Sequence, residues 1–203
     1  MICLPIRQKT TLKTLQKVAE GQPLADVIEI WFDEIKDLEN FSFTKIKKPI
    51  LYKWQGNMEN LQLLKNAKIK YIDIDLSVSD NIFKEIRKIN PKIELIISFH
   101  DFEKTPKPPE LKKIAERMRK KGADIVKIAA TAQNFKDTLT MLEFLNQLPG
   151  KKICLCMGKE GLLTRTSGHL LGNYLMYAPL SQKEATASGQ IPLKELKKIQ
   201  SCL

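Results

Sequence analysis

Short runs of apolar, mostly β-branched residues recur along the chain, and each is followed by a segment in which apolar positions have helical spacing. The runs predict eight β-strands, at residues 2–6, 27–32, 49–54, 70–75, 93–98, 124–129, 151–156 and 173–177. The helical segments lie at residues 11–20, near 34–40, and at 57–66, 79–89, 109–121, 133–147, 160–171 and 192–200. Eight strands, each followed by a helix, predict an α/β fold, a single (β/α)8 TIM barrel over residues 1–203.

Proline and glycine residues support one of these helices at both ends. Pro109 precedes "ELKKIAERMRKKG", where the first turn of a helix tolerates proline, and Gly122 lies where that helix should end. The one long loop that the pattern predicts is "APLSQKEATASGQIP", which follows the eighth strand.

Composition narrows the class of protein. With 203 residues, 43% hydrophobic and 28% charged, the chain can bury a sizeable core. No stretch approaches about 18 uncharged apolar residues, and the charged start "MICLPIRQKTTLKTL" does not resemble a signal peptide. We therefore expect a cytoplasmic protein with no membrane partner. The four cysteines form no CxxC pair, so we expect neither a disulfide nor a metal role for them.

A net charge of +11 raises the question of a nucleic-acid partner. The basic residues are dispersed in "KEIRKINPK", "ELKKIAERMRKKG" and "LKELKKIQ", where they alternate with apolar positions at helical spacing and rarely interleave with aromatic residues. This pattern indicates the solvated faces of helices, so we expect no nucleic-acid partner. A positive field would instead steer a small anionic substrate toward the protein.

Polar residues near the ends of the predicted strands are candidates for chemistry, because active sites in such barrels lie at the carboxyl ends of the strands. The candidates are Glu29, Asp33, Lys53, Asp73, Asp75, Ser98, His100 and Lys127.

Lys127 is a single lysine within the apolar stretch "GADIVKIAAT". One interpretation is a lysine at the end of a strand that extends its ammonium to water. The other is a nucleophile: apolar surroundings disfavour the ammonium, lower the pKa and leave free amine that attacks a carbonyl to form a Schiff base. The stretch by itself does not decide between them.

His100 bears on that choice. "LIISFHDFEKTP" places Ser98 and His100 on one face of the fifth strand, and neighbouring strands lie about 4.8 Å apart, so His100 and Lys127 can share a pocket. Near neutral pH a histidine beside an imine can remove the adjacent C–H proton and return it to a leaving group. The other histidine, His169, is expected to be a packing or helix-surface residue.

Four motifs resemble those of the type I 3-dehydroquinate dehydratases. They are "SFHDFEKTP", "GADIVKIA", "MGKEGLLTR" and "TASGQIP", in the family's order and spacing, and the likeness covers nearly the whole chain. The resemblance implies a (β/α)8 barrel with no metal or organic cofactor. It also implies that a homodimer dehydrates 3-dehydroquinate to 3-dehydroshikimate, the third step of the shikimate pathway.

The resemblance also assigns roles to individual residues. Lys127 resembles the imine-forming lysine, and His100 resembles the general acid/base. Arg165 matches the arginine that grips the substrate carboxylate, a pairing that suits the planar fork of a guanidinium. Gln190 matches the glutamine of the lid after the eighth strand, and Thr186 stands where the family often has serine.

The second and third strands depart from the family pattern. "EIWFD" keeps Glu29 but has Trp31 at the position of an arginine. "PILYKWQGNME" has Gln55 at the position of a second arginine, and Glu59 follows at the spacing of the family's glutamate. These arginines normally hold substrate hydroxyls, so their loss bears on affinity and on the identity of the substrate. Lys53, on the same strand face as Gln55, is expected to supply positive charge in their place.

Three functions therefore stay open: the dehydratase, another Schiff-base lyase or aldolase on the same barrel, and a binding protein such as a catalytically impaired homologue. Asp73 and Asp75 in "YIDID" share a strand face, which suits either a metal site or hydrogen-bonded core carboxylates. We expect no metal.

Overall fold

The computed structural model describes residues 1–202 and contains eight parallel strands, one for each predicted apolar run. Their bounds are β1 Ile2–Ile6, β2 Val27–Ile30, β3 Ile50–Lys53, β4 Ile69–Asp75, β5 Glu94–Asp101, β6 Ile125–Thr131, β7 Lys152–Met157 and β8 Met176–Tyr177. The strands lie in the order β7-β6-β5-β4-β3-β2-β1-β8, so neighbours in sequence are neighbours in space and β8 pairs with β1. This order confirms the predicted (β/α)8 barrel.

The barrel closes between β7 and β8 without a regular ladder. The backbone N–H of Tyr174 donates to the carbonyl of Lys152 at 2.8 Å, and the N–H of Cys154 donates to the side-chain Oδ1 of Asn173 at 2.8 Å. Because the Asn173 side chain takes the place of a strand carbonyl, β8 begins at Met176, three residues later than the sequence predicts.

Six α-helices surround the strands: α1 Thr11–Gly21, α2 Asp80–Ile89, α3 Pro108–Lys120, α4 Phe135–Gln147, α5 Leu162–Ser167 and α6 Leu193–Gln200. Thr10 caps α1 and Asn134 caps α4 with side-chain oxygens, and Pro108 occupies the first turn of α3. The α3 helix ends before Gly122, which adopts a φ of 89°. None of the helices among residues 1–202 is long and apolar enough to span a bilayer.

Three predicted helices are shorter or of another type. The segment predicted at 57–66 is the 3₁₀ helix Glu59–Lys65, and the segment predicted at 160–171 is α5 flanked by the short 3₁₀ turns Lys159–Gly161 and Gly168–Leu171. The segment near 34–40 contains only the 3₁₀ turns Phe32–Glu34 and Leu38–Asn40.

An aromatic cluster takes the place of a helix after β2. The ring of Phe32 packs edge-on against Phe41 at a centroid distance of 5.1 Å and against Tyr52 at 5.2 Å. Such pairs favour offset or edge-to-face geometry and bury large apolar area. The chain after β2 is therefore shaped by its aromatic side chains, which the spacing of apolar positions did not reveal.

The barrel interior is layered from apolar to polar along the strand direction. Residues near the strand starts fill its floor, namely Cys3, Val27, Leu51, Ile96, Ile125, Ile153 and Leu175. One pleat further on, five of the buried side chains are polar, namely Glu29, Lys53, Asp73, Ser98 and Lys127. The strand register places these polar residues above the apolar floor, at the carboxyl ends of the strands.

Candidate active site

A cavity of about 320 Å³ opens at the carboxyl ends of the strands. Its walls include Glu29, Trp31, Lys53, Gln55, Asp75, His100, Lys127, Arg165, Tyr177, Thr186 and Gln190. Seven of the eight residues to which the sequence assigned a catalytic or substrate-binding role line this cavity, namely Glu29, Lys53, His100, Lys127, Arg165, Thr186 and Gln190. The eighth, Glu59, does not.

Lys127 points into the barrel and not to solvent. It pairs with Ser98 in the β5–β6 ladder, its residue is 6% exposed, and its Nζ lies 4.4 Å from the centre of the Tyr177 ring. Its ammonium donates to Oδ2 of Asp73 at 2.6 Å. The alternative in which the side chain extends to water is therefore wrong.

Asp73 is the hub of a buried ion cluster. Lys53 donates to its Oδ1 at 2.8 Å, Ser98 donates to the same oxygen at 2.6 Å, and Lys127 binds the other oxygen. Burial by itself raises the pKa of Asp73, but the ammonium groups of Lys127 and Lys53 outweigh burial and hold that pKa well below its usual range. Of the two interpretations of this aspartate, the structure supports the hydrogen-bonded one. Among residues 1–202 we find no cluster of His, Cys, Asp and Glu with the geometry of a metal site.

The ion cluster reverses one expectation about Lys127. Burial does lower the pKa of Lys127, as its apolar stretch suggests, but the carboxylates of Asp73 and Glu29 raise it, and the net direction is upward. Lys127 is therefore an ammonium at rest, and its amine is set free only by loss of a proton. The apolar stretch suggested the wrong direction for the pKa of Lys127, because the two carboxylates that raise it lie on other strands.

His100 lies two residues beyond Ser98 on β5, beside the cavity mouth. Its Nδ1 is 3.9 Å from Oδ2 of Asp75, and its ring stacks on Phe102 with centroids 6.0 Å apart. Burial lowers the pKa of His100, and the charge of Lys127 lowers it further, against the opposing effect of Asp75. A neutral imidazole that can accept a proton therefore shares the cavity with Lys127.

Trp31 makes the hydrogen bond of the Glu29 side chain and is itself covered by a cation. Its indole N–H donates to Oε1 of Glu29 at 3.0 Å, and the guanidinium of Arg7 covers its ring at 4.4 Å while pairing with Glu34. Burial raises the pKa of Glu29, although Lys127 opposes this. The second oxygen of Glu29 is buried and has no partner among the described residues.

Arg165 reaches the cavity from α5. One of its nitrogens donates to the carbonyl of Ser188 at 3.1 Å, whereas its buried Nε has no partner among residues 1–202. Burial lowers the pKa of Arg165 to about 10, which still leaves the guanidinium charged at neutral pH. A desolvated guanidinium with a free donor is suited to bind a carboxylate.

The loop after β8 covers this side of the cavity. Oε1 of Gln190 accepts the backbone N–H of Thr186 at 2.8 Å, which folds the loop on itself. Gly189 adopts a φ of 79°, and a Cβ there would lie 2.5 Å from the carbonyl oxygen of Gly158. The loop is therefore held against the end of β7, close to Arg165.

One predicted residue, Glu59, lies elsewhere than the sequence suggests. Glu59 is exposed outside the cavity, because Asp33 accepts the backbone N–H groups of Gln55 at 2.7 Å and Asn57 at 3.2 Å and turns the chain outward. Lys53 lines the cavity, and its ammonium binds Asp73. Gln55 itself does line the cavity.

Tyr177 is a cavity residue that sequence reasoning missed. Its hydroxyl is buried without a partner among the described residues, and burial raises its pKa, so it stays a neutral donor. Its alternation with Leu175, which faces the barrel floor, was the available signal. His169, by contrast, contacts Gln200 at 3.3 Å, which confirms its packing role.

Fold and site together define a class: (β/α)8-barrel enzymes that present a buried lysine beside a histidine. A family model, type I 3-dehydroquinase, matches residues 2–203. The 3-dehydroquinate dehydratases of Methanococcus maripaludis strain S2 and Methanocaldococcus jannaschii are 36% and 35% identical to this chain, each over 98% of it and over 98% and 97% of their own lengths. The chain therefore belongs to the type I 3-dehydroquinase family, as the motifs suggested.

A solved structure agrees over the whole fold. The type I 3-dehydroquinate dehydratase of Clostridium difficile, solved with covalent modified comenic acid, superposes with a TM-score of 0.85 at 27% identity. The match covers 99% of this chain and 90% of that one.

Proposed function

We propose that this protein is a lyase that dehydrates 3-dehydroquinate to 3-dehydroshikimate in the shikimate pathway, on the route to chorismate and the aromatic amino acids. One observation carries the proposal: buried Lys127, neutral His100 and the free donor of Arg165 face a single cavity in a chain of this family. These groups are the nucleophile, the base and the anion-binding group that such a reaction needs.

Lys127 begins the reaction as the nucleophile. After its ammonium loses a proton, the nitrogen attacks the substrate ketone, and the carbinolamine loses water to form an iminium. The iminium accepts electrons and so acidifies the neighbouring C–H bond. Hydrolysis of the imine at the end consumes one water, releases the product and restores Lys127.

His100 moves the proton between these steps. Its neutral imidazole removes the C–H proton next to the iminium carbon, and the bonding electrons form an enamine. The enamine expels the β-hydroxyl group, which leaves as water after accepting the proton from His100. A positioned acid/base of this kind contributes about 10²–10⁴-fold in rate.

The buried charges favour a small anionic substrate. Three buried cations, Lys53, Lys127 and Arg165, face two buried acidic residues, Glu29 and Asp73. A substrate carboxylate bound at the free Nε of Arg165 offsets the excess positive charge. No metal or organic cofactor takes part in this mechanism.

The remaining cavity groups bind substrate hydroxyls. Glu29 offers an unpartnered acceptor, and Thr186 and Gln190 approach from the loop after β8. We assign Lys53 to these substrate-binding groups as well. It supplies positive charge in place of the two arginines that the family pattern has and this chain lacks. Glu59 would join it only through a loop movement, because it lies outside the cavity.

A second candidate is another Schiff-base lyase or aldolase. It is favoured by the change from two guanidinium groups to an indole N–H at Trp31 and an amide at Gln55, which alters how hydroxyls are recognised. A catalytically impaired homologue would keep the same Lys127 and His100 without turnover.

We further propose a homodimer. Large apolar side chains are exposed on α4, on α5 and on the turn after α5, and Leu139, Leu162 and Leu170 are 49%, 47% and 58% exposed. The helices α4 and α5 pack together, so a second copy could cover both. Light scattering after gel filtration should give twice the mass of one chain, and Leu162→Glu should reduce it to one.

A cytoplasmic location fits the thiols of the chain. Cys3, Cys154, Cys156 and Cys202 are all free, which is usual in a reducing compartment. Fractionation of cells that express the protein would test this location.

The direct test of the activity is formation of 3-dehydroshikimate from 3-dehydroquinate, followed by its ultraviolet absorbance. The chain should turn over, Lys127→Ala should not, and the matched variant of exposed Lys159 should behave as the wild type, since its side chain is 92% exposed. No product from the folded wild type would overturn the proposal in favour of the second candidate.

A further inference from the structure

Two buried lysines share one carboxylate in this site. The Nζ of Lys53 lies 2.8 Å from Oδ1 of Asp73, and the Nζ of Lys127 lies 2.6 Å from Oδ2. The two lysine residues are 8% and 6% exposed, and Asp73 is fully buried. Water therefore does little to screen the charges in this triad from one another.

Lys53 is held by this arrangement. Besides Asp73, its ammonium lies 3.4 Å from the hydroxyl of Ser98, which itself donates to Oδ1 of Asp73 at 2.6 Å. Lys53 also pairs directly with Asp73 in the β3–β4 ladder. Oδ1 thus receives two donors, whereas Oδ2 receives only Lys127 among the described residues. Removal of Lys53 would leave Asp73 with a single compensating cation.

The titratable groups around Lys127 come from six other strands, β1 to β5 and β8. The titratable groups that face it or act on it are Cys3, Glu29, Lys53, Asp73, His100 and Tyr177. Cys3 and Tyr177 are neutral because burial raises the pKa of each, and His100 is neutral at pH 7. Within this set, Lys53 is the group whose positive charge offsets the two acidic residues.

We infer that Lys53 is a positioning residue that controls when Lys127 becomes a nucleophile: by holding half of Asp73, it weakens the grip of that carboxylate on the Lys127 ammonium. This inference deepens the proposed function and rests on it for the imine chemistry. A neighbouring ammonium is one of the ways in which proteins free a lysine amine. The proton that leaves Lys127 goes to neutral His100 or to solvent, and no other reactant is required.

The charge of Lys53 bears directly on the protonation of Lys127. Without the charge of Lys53, the negative charge of Asp73 is compensated by Lys127 alone. The ammonium form of Lys127 then becomes more stable. The pKa of Lys127 should therefore rise. At any pH below that pKa, the fraction of free amine should then fall about 10-fold.

Labelling of Lys127 without substrate tests this. The wild type, Lys53→Met, Lys53→Gln and Lys53→Arg are reductively methylated with formaldehyde and cyanoborohydride across the pH range in which the barrel stays folded, and modification of Lys127 is read by peptide mapping. We expect Met and Gln to slow labelling of Lys127 about 10-fold and Arg to keep it near the wild-type rate. Lys70→Met, at an exposed position on β4, is the control and should have no effect.

Other outcomes would overturn the inference. Unchanged labelling in folded Lys53→Met, or faster labelling, would show that Lys53 does not act on Lys127. The Gln variant decides the matter if Met prevents folding, because its amide can still bond to Asp73. A rise in KM with an unchanged labelling profile would leave Lys53 with its substrate-binding role alone and would overturn its role toward Lys127. Since labelling needs no turnover, a protein that lacks dehydratase activity would still test the triad.

Discussion

The indole N–H of Trp31 lies 3.0 Å from Oε1 of Glu29, two residues earlier on the same run of chain. Among residues 1–202, this is the hydrogen bond that the Glu29 side chain makes. The other carboxylate oxygen of Glu29 is buried without a partner among these residues. A tryptophan thus orients a carboxylate of the cavity, and it does so without adding charge.

Trp31→Phe should weaken substrate binding, because Glu29 would lose the donor that orients it. A hydrogen bond to an ionised group contributes about 1.5–3 kcal/mol, so kcat/KM should fall about 10-fold to 150-fold, mainly through KM. Steady-state kinetics measure this. Arg7→Met, which removes the cation over the ring and the ion pair with Glu34 but keeps the indole N–H, should stay close to the wild type. Equal kinetics for Trp31→Phe and the wild type would show that Glu29 is oriented by other contacts.

Borohydride added during turnover of 3-dehydroquinate should attach the substrate skeleton to Lys127. The reason is that an iminium on its buried Nζ is reducible, whereas the ammonium form at rest is not. Mass spectrometry of peptides identifies the site. Lys53 lies in the same triad and is the internal comparison. An adduct on Lys53, or turnover with no adduct, would contradict the mechanism.

His100→Ala should still form the imine but should lose about 10²-fold or more in turnover. Trapping on Lys127 would persist without release of product. A near wild-type rate would mean that His100 is structural. Because burial lowers its pKa, the wild-type kcat/KM should stay high down to below about pH 6.5 and decline only as His100 becomes protonated. A rapid-quench assay across pH measures both effects.

Arg165→Met should lower kcat/KM by at least about 10-fold to 150-fold, since the substrate carboxylate would lose its charged partner. The matched control is Arg117→Met at an exposed position on α3, which should change little. An analogue of the substrate without its carboxylate should bind the wild type and Arg165→Met alike. If the analogue still distinguishes the two proteins, Arg165 acts on another part of the substrate.

Asp73→Asn should destabilise the fold as well as the site, because it leaves two buried ammonium groups without their carboxylate. Loss of one member of a buried ion cluster typically costs about 3–5 kcal/mol of unfolding free energy. Urea unfolding followed by circular dichroism measures it. Asp80→Asn, whose partner is Lys121 at the surface, should unfold near the wild-type midpoint. A stable Asp73→Asn barrel would show that one lysine gives up its proton at little cost.

Much of the barrel could be predicted from the sequence. The eight apolar runs predicted all eight strands, because a strand buried on both faces needs such a run whatever surrounds it. The shared cavity of His100 and Lys127 also followed, since the motifs that carry them end consecutive strands. These features follow from local patterns and from the order of the strands along the chain.

Only the tertiary structure decided which charges meet. Asp73 binds Lys53 and Lys127 from two other strands, Asp33 turns Glu59 out of the cavity, and the carboxylates near Lys127 raise the pKa that its apolar stretch should lower. The physical reason is that periodicity reports local backbone geometry, whereas an ion pair depends on distances of a few ångströms between side chains far apart in sequence. The sequence determined the barrel and the identity of the reactive groups, and the packing of its strands determined their protonation and their partners.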